Sequence, residues 1–95
     1  MPEDHFQRDD DKAARNWRDH AVTFDMARDA FKDIFAIEWV DYGHGDAQER
    51  FAMLGMVQHR LLFVSYTLRA ERIRIISARL AEPYERRRYH NENQT

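Results

Sequence analysis

The chain has 95 residues, of which 43% are hydrophobic and 13% aromatic, and it contains no cysteine. A chain of this length forms one small core, so we expect a single domain over residues 1–95 with disordered tails at 1–5 and 92–95. The lack of cysteine excludes a disulfide scaffold, cysteine-ligated zinc fingers and thiol catalysis. The apolar runs are too short to span a membrane, and the first residues lack the features of a secretory signal. We therefore expect a cytoplasmic protein with no membrane partner.

The net charge of -2 is distributed unevenly along the chain. Residues 1–48 contain six Lys and Arg against twelve Asp and Glu, whereas residues 49–95 contain nine Arg against five acidic residues. Arginine binds phosphate through a planar fork of N–H donors. The second half therefore indicates either a nucleic-acid-binding face or a set of solvated surface arginines.

Two helices are predicted in the first third of the chain. The acids Asp9 to Asp11 supply an N-cap and complement the dipole of a helix that continues to His20. Thr23 is a favourable N-cap for a second helix. Its buried stripe is expected to comprise Ala27, Ala30, Phe31 and Ile34. The large aromatics expected in the core are Trp17, Trp39 and Phe63.

Beyond Phe35 the pattern changes to a period of two and predicts four strands. They cover residues 36–40, 50–57, 61–67 and 72–79, with a glycine-containing loop at 42–46. The last three strands are joined by connections short enough for hairpins, which predicts an antiparallel sheet. In the fourth strand, Ile73 and Ile75 are expected on one face, with Arg72, Arg74 and Ile76 on the other. Pro83 starts a last helix that runs to about Asn91. The predicted fold class is α+β, with two N-terminal helices, a four-stranded antiparallel sheet and a C-terminal helix.

The common catalytic motifs are missing from the sequence. It has no phosphate-binding loop, no HExxH zinc motif and no nucleophile elbow, and its five histidines lack the close spacing of metal ligands. We predict neither a metal nor a cofactor. Arginine, acids, histidine and tyrosine remain, and such a set can cleave RNA, because the ribose 2'-hydroxyl is an internal nucleophile. Arginine can stabilise the charge on the phosphoryl oxygens, while histidine or a carboxylate moves the proton.

Three ordered groups of residues carry a resemblance to a known family. The first group is Phe6, Asp9, Lys12, Asn16, His20, Val22, Thr23 and Phe24; the second is Glu49-Arg50-Phe51 with Leu54-Gly55; the third is Val64-Ser65-Tyr66-Thr67, Arg74-Ile75-Ile76-Ser77-Ala78-Arg79, Glu85 and Tyr89. Together they resemble the BrnT toxins of bacterial type II toxin-antitoxin systems, which are similar to RelE-type ribonucleases in fold and activity. The departures are Arg8, Asp19 and Ala21, where the family has Trp, Lys and Gly. Gln48 stands at the first position of the family's E-x-R, and Glu49 follows one place later.

The resemblance implies a metal-independent endoribonuclease toxin that cleaves RNA by 2'-hydroxyl attack and inhibits translation and growth until its antitoxin binds. It also implies a BrnA-like antitoxin with a ribbon-helix-helix part, a heteromeric complex, and contact with operator DNA only through the antitoxin. The candidate catalytic residues are His20 as proton carrier, Arg50, Arg74 and Arg79 as phosphate ligands, and Glu49. The candidate RNA-binding residues are Lys12, Tyr66, Arg72 and Tyr89.

Each candidate also has a structural interpretation. His20 can act as a helix-dipole partner, Glu49 as an arginine partner, and Tyr66 as a buried ring. The arginines can form an antitoxin-binding or salt-bridged surface. Two further functions remain open: a catalytically impaired family member that binds antitoxin or RNA, and an RNA-binding domain that stacks bases on sheet aromatics. The second is disfavoured because no aromatic stripe accompanies the arginines of the fourth strand.

Overall fold

The computed structural model describes residues 5–42 and 49–94, and these form three helices and one antiparallel sheet. In chain order the elements are α1 (Asp10–His20), α2 (Phe24–Ala30), β1 (Ile37–Asp41), β2 (Arg50–Val57), β3 (Arg60–Arg69), β4 (Arg72–Leu80) and α3 (Pro83–Glu92). The strands are ordered β1-β2-β3-β4 in the sheet. The predicted α+β class and element order are confirmed. Residues 43–46 of the predicted loop lie outside the described residues.

Side-chain caps fix where α1 and α2 begin. Asp9 accepts a hydrogen bond from the Lys12 backbone N–H, and Thr23 accepts one from the Met26 N–H. The second helix stops at Ala30, earlier than the predicted stripe requires. Ala27 and Ala30 are fully buried, but Ile34 is 87% exposed. The prediction of a buried Ile34 was wrong, because the helical period ends before that residue.

The sheet separates two hydrophobic clusters. Helix α2 packs on one face, where the buried residues include Val22, Met53, Leu62, Val64 and Ile75. On the other face the cluster is Leu54, Leu61, Ala81 and Tyr89, with Trp39 and Phe63 packed against it. Close packing of α2 requires a glycine in β2, because a Cβ at Gly55 would lie 2.6 Å from the Ala30 carbonyl oxygen. Trp39 and Phe63, which were predicted to be core residues, are partly buried against the second cluster.

Helix α1 lies along the outer edge of β4. The buried Asn16 side chain donates to the Ala78 carbonyl oxygen at 2.8 Å and accepts from the Ala78 N–H at 2.9 Å. It thereby takes the place of a neighbouring strand at this edge. Trp17, the next residue, is 57% exposed, so the prediction that it is a core residue was wrong.

The C-terminal helix extends slightly further than predicted. Glu92 is its last residue, and Asn93 donates hydrogen bonds to the carbonyl oxygens of Phe35 and Tyr89. Residues 92–94 of the predicted disordered tail are described, and residue 95 is not. No helix in the described part of the chain is both long enough and apolar enough to cross a membrane.

Candidate functional site: an arginine-bearing sheet face

The predicted phosphate ligands lie on one face of the sheet, which we call the arginine face. In β3, Phe63, Ser65 and Thr67 alternate onto this face, and their partners in β4 are Arg79, Ser77 and Arg74. Directly paired residues in neighbouring strands project to the same side. The arginine face therefore carries both Arg74 and Arg79.

A β-bulge in β4 makes this arrangement possible. Tyr66 pairs with Ile75, whereas the preceding Ser65 pairs with Ser77, so Ile76 is the extra residue. In a regular strand, residues five apart point to opposite faces. The bulge moves Arg79 from the face of Ile75 to the face of Arg74.

Small side chains separate the arginines. Trp39, Ala52, Ser65 and Ser77 are paired in one row across all four strands. Ala52 is fully buried and Ser65 is 8% exposed. Neighbouring rows on one face of a sheet are about 7 Å apart. We call Ala52, Ser65 and Ser77 the central strip; one flanking row contains Phe63 and Arg79, and the other contains Arg50 and Arg74.

Arg79 is held on two sides. Its two terminal nitrogens donate to the two carboxylate oxygens of Glu85, at 2.8 and 2.9 Å, and its guanidinium carbon lies 4.3 Å from the centre of the Phe63 ring. The hydrogen bonds to Glu85 raise the pKa of Arg79 despite partial burial. Burial disfavours the charge of Glu85, but the Arg79 and Glu82 hydrogen bonds outweigh it and lower the pKa of Glu85. Both groups therefore remain charged near neutral pH.

Arg74 has an acidic partner of its own. Its terminal nitrogen donates to Asp9 at 3.0 Å, and both side chains are largely buried, with exposed fractions of 24% and 21%. The Lys12 backbone N–H and then Arg74 lower the pKa of Asp9. Arg50, paired in register with Asp41, and Arg72, next to Arg74 on the same face, also have interaction partners.

Two predicted RNA contacts do not fit the structure. Tyr66 is 5% exposed and lies on the α2 side of the sheet, where its hydroxyl donates to Glu38. Burial, followed by that hydrogen bond, raises the pKa of Tyr66. Tyr89 is a buried residue of α3, 6% exposed, and its hydroxyl donates to Asp33 at 2.6 Å. Both prove to be core residues with a hydrogen-bonded hydroxyl, so neither can stack on or bind RNA from these positions.

The remaining candidates lie in α1 and immediately before β2. His20 is exposed in the last turn of α1. Because Asp9 binds Arg74 and Asn16 binds Ala78, α1 runs in the same direction as β4. Its C-terminal end with His20 is therefore nearer Arg79 than Arg74.

Lys12 lies in the first turns of α1, and Glu49 lies immediately before β2. The Lys12 backbone N–H binds Asp9. The Glu49 side chain is exposed, while its backbone carbonyl oxygen accepts the Thr67 hydroxyl at 2.9 Å. Gln48 lies outside the described residues. The fold thus places Arg74 and Arg79 on one face of the sheet, whereas Glu49, the acidic candidate, lies immediately before β2.

Sequence reasoning missed the partners of the arginines. Asp9 was recognised only as a helix cap and a motif residue, and Glu85 only as part of a motif. A signal was present in both cases, since each acid stands at a helix N-terminus. Their contacts with β4 depend on how the helices dock, which the local pattern does not contain.

Two other features of the described residues bear on ligand binding. Within residues 5–42 and 49–94, no group of three His, Asp or Glu side chains is arranged to hold a metal ion. A cleft of about 330 Å³ lies away from the arginine face, between the N-terminal segment, α1 and α2. Its walls include Phe6, Trp17, Phe24 and Ile75. Asp9, the partner of Arg74, also lines the cleft.

Comparison with known proteins identifies the family. Residues 9–85 match the family described as "Ribonuclease toxin, BrnT, of type II toxin-antitoxin system". A search among curated proteins finds no match. The family match covers Arg74 and Arg79, their acidic partners and the central strip. The chain belongs to the BrnT family of ribonuclease toxins of type II toxin-antitoxin systems.

Proposed function

We propose that this protein is an endoribonuclease that needs no metal ion and cleaves RNA by attack of a ribose 2'-hydroxyl on the adjacent phosphate. The observation that supports this most is the shared face of Arg74 and Arg79, created by the β4 bulge on either side of the central strip. Guanidinium groups on both sides of a strip of small residues suit an RNA backbone, whose phosphates recur along the chain. The family match supports ribonuclease activity in general.

In this mechanism the arginines stabilise the charge that develops on the phosphoryl oxygens. Arg50, Arg74 and Arg79 are the groups assigned to that role. His20 accepts the 2'-hydroxyl proton as the new oxygen-phosphorus bond forms. The bond to the 5'-oxygen breaks, and that oxygen takes a proton from the imidazolium or water, which leaves a cyclic phosphate. Lys12 and Arg72 are assigned to more distant phosphates, and Glu49 is the alternative proton carrier.

The acidic partners do not prevent phosphate binding in this scheme. Asp9 engages one terminal nitrogen of Arg74, so the other N–H groups of the guanidinium can face a phosphate oxygen. Arg79 uses its terminal nitrogens for Glu85, and its Nε–H points elsewhere in the guanidinium plane. The ion pairs keep both side chains charged and ordered.

We further propose that the activity inhibits translation and growth in the cytoplasm until an antitoxin binds. The family match implies an antitoxin partner. By resemblance, that partner is BrnA-like and has a ribbon-helix-helix part. The heteromeric complex would then contact operator DNA only through the antitoxin.

A second candidate function is a catalytically impaired family member that acts as an antitoxin- or RNA-binding module. One observation favours it: Arg74 and Arg79 are each bound to a carboxylate, so much of their charge is balanced within the protein. The position of Glu49 before β2, with an exposed side chain, agrees with this alternative. The two functions differ in a single outcome, which is whether RNA is cut.

The test is incubation of purified protein with labelled RNA in the presence of EDTA. The matched variants are Arg74→Gln, on the arginine face, and Arg60→Ala, an exposed residue that the alternation of β3 places on the opposite face. We expect cleavage that survives chelation, is strongly reduced by Arg74→Gln and is unchanged by Arg60→Ala. Intact RNA at high protein excess would contradict the enzyme and leave the binding module.

Salt dependence provides a separate test of the RNA contact. If several arginines bind phosphates, the affinity for uncleavable 2'-deoxy substrate should fall steeply as the salt concentration rises, with a slope set by the number of phosphates bound. Arg74→Gln should reduce that slope by roughly one contact. A flat salt dependence would refute phosphate binding on this face.

A further inference from the structure

Two acidic side chains combine the same two contacts. Asp9 caps α1 by accepting the Lys12 N–H with one carboxylate oxygen at 3.0 Å, and it binds Arg74 with the other at 3.0 Å. Glu85 takes part in the capping box of α3 by accepting the Glu82 N–H at 2.8 Å, and it binds Arg79 with both oxygens. Arg74 and Arg79, which flank the central strip, are therefore each bound to an acid at a helix N-terminus.

A helix cap is a more rigid partner than an ordinary surface acid. The cap bond to Lys12 restricts the Asp9 side chain, and α1 itself is fixed to β4 by Asn16. A buried carboxylate that bonds both the Glu82 backbone and Arg79 is restricted in the same way. The positions of the two guanidinium groups are thus set by the docking of α1 and α3 on the sheet.

We propose that Asp9 and Glu85 are positioning residues for RNA cleavage, which hold Arg74 and Arg79 in their working orientations before RNA binds. This inference rests on the proposed function. An unrestrained arginine loses rotamer freedom when it engages a ligand, whereas a restrained one has already lost it. Groups fixed in advance stabilise a transition state more effectively than groups that must reorganise.

The opposite effect defines the competing explanation. If the carboxylates only neutralised the arginines, their removal would expose positive charge and strengthen RNA binding. Positioning predicts a loss in the chemical step instead. On removal of a carboxylate, neutralisation therefore predicts a lower Kd for RNA, whereas positioning predicts a lower kcat.

Asp9→Asn separates positioning from helix capping. Asparagine caps a helix about as well as aspartate, so the bond from the Lys12 N–H is retained. The amide cannot form the ion pair with Arg74. Asp10→Asn is the matched control, because the neighbouring Asp10 is 83% exposed and pairs with Arg8 rather than with the sheet.

The experiment measures three quantities for each variant: kcat at saturating RNA, Kd for a 2'-deoxy analogue that cannot be cleaved, and Tm. For Asp9→Asn we expect kcat to fall by about tenfold or more, as for a misplaced catalytic group, while Kd changes by less than about threefold. The Tm should fall only modestly, because the cap is kept and the Asp9 carboxylate is more exposed than that of Glu85. Asp10→Asn should match the unmodified protein in all three.

Three outcomes would overturn the inference. An unchanged or raised kcat for Asp9→Asn would contradict positioning, and a loss of kcat together with a large fall in Tm would indicate a purely structural role. Failure of the unmodified protein to cut RNA would refute the proposed function first, and this inference with it. Glu85→Gln supplies a second variant, since glutamine also serves in a capping box, and it should lower kcat more than it weakens Kd.

Discussion

The ion pair between Arg79 and Glu85 should contribute more to stability than the exposed pair of Arg88 and Glu92. The Glu85 side chain is 5% exposed and that of Arg79 is 30% exposed. Arg79→Ala would leave a buried carboxylate that keeps hydrogen bonds from the Glu82 N–H and the Tyr84 side chain but loses its guanidinium partner. Removing one partner of a buried pair costs about 3–5 kcal/mol, and the partial exposure of Arg79 favours the lower end. In a domain of this size about 3 kcal/mol lowers Tm by roughly 12–24 °C.

The assay is a double-mutant cycle in urea, with Arg79→Ala, Glu85→Ala and the double variant. We expect a coupling free energy of about 1.5–3 kcal/mol, the range for hydrogen bonds to charged groups. The control is a second cycle on Arg88 and Glu92, an ion pair within α3 whose side chains are 45% and 48% exposed. That pair should couple by about 0.5 kcal/mol or less. Equal coupling energies in the two cycles would refute the argument from burial.

Three further predictions concern residues that hold the helices against the sheet. Asn16→Ala removes the bonds to both backbone groups of Ala78, so urea denaturation should show a loss of about 3 kcal/mol; a loss under about 1 kcal/mol would contradict the edge role. Gly55→Ala should cost about 1–3 kcal/mol because its Cβ would meet the Ala30 backbone, and an unchanged Tm would contradict that. Burial opposes the charge of Asp33, but hydrogen bonds from Tyr89, Met56 and Phe35 lower its pKa. Its contribution is therefore complete above the unfolded pKa of about 3.9 and is lost as the pH falls through the lower folded value; Asp33→Asn should flatten that acid limb of a pH-stability curve.

The sequence was sufficient for the elements and their order because their signals are local. Caps at Asp9 and Thr23, alternation in the strands and Pro83 at a helix start act within a few residues. The length of α2 was overestimated, because apolar residues at helical spacing continue past Ala30 into a turn. A continued period alone does not show where a helix stops.

The candidate site was only partly predictable. Strict alternation would place Arg74 and Arg79 on opposite faces, and the bulge at Ile76 that unites them has no glycine to mark it. The burial of Tyr66 follows from its place among Phe31 and Phe51 on the α2 side, which depends on strand register. Long-range pairing decided both cases, and a single sequence does not encode it locally.

The most direct test of the central claim is an NMR titration of the arginine guanidinium signals with uncleavable 2'-deoxy substrate. The account predicts that the Nε–H signals of Arg50, Arg74 and Arg79 shift or broaden on binding, while the signal of Arg60 on the opposite face does not. Shifts confined to Arg60 or to α3, with the three arginines of the sheet unaffected at saturating substrate, would contradict it.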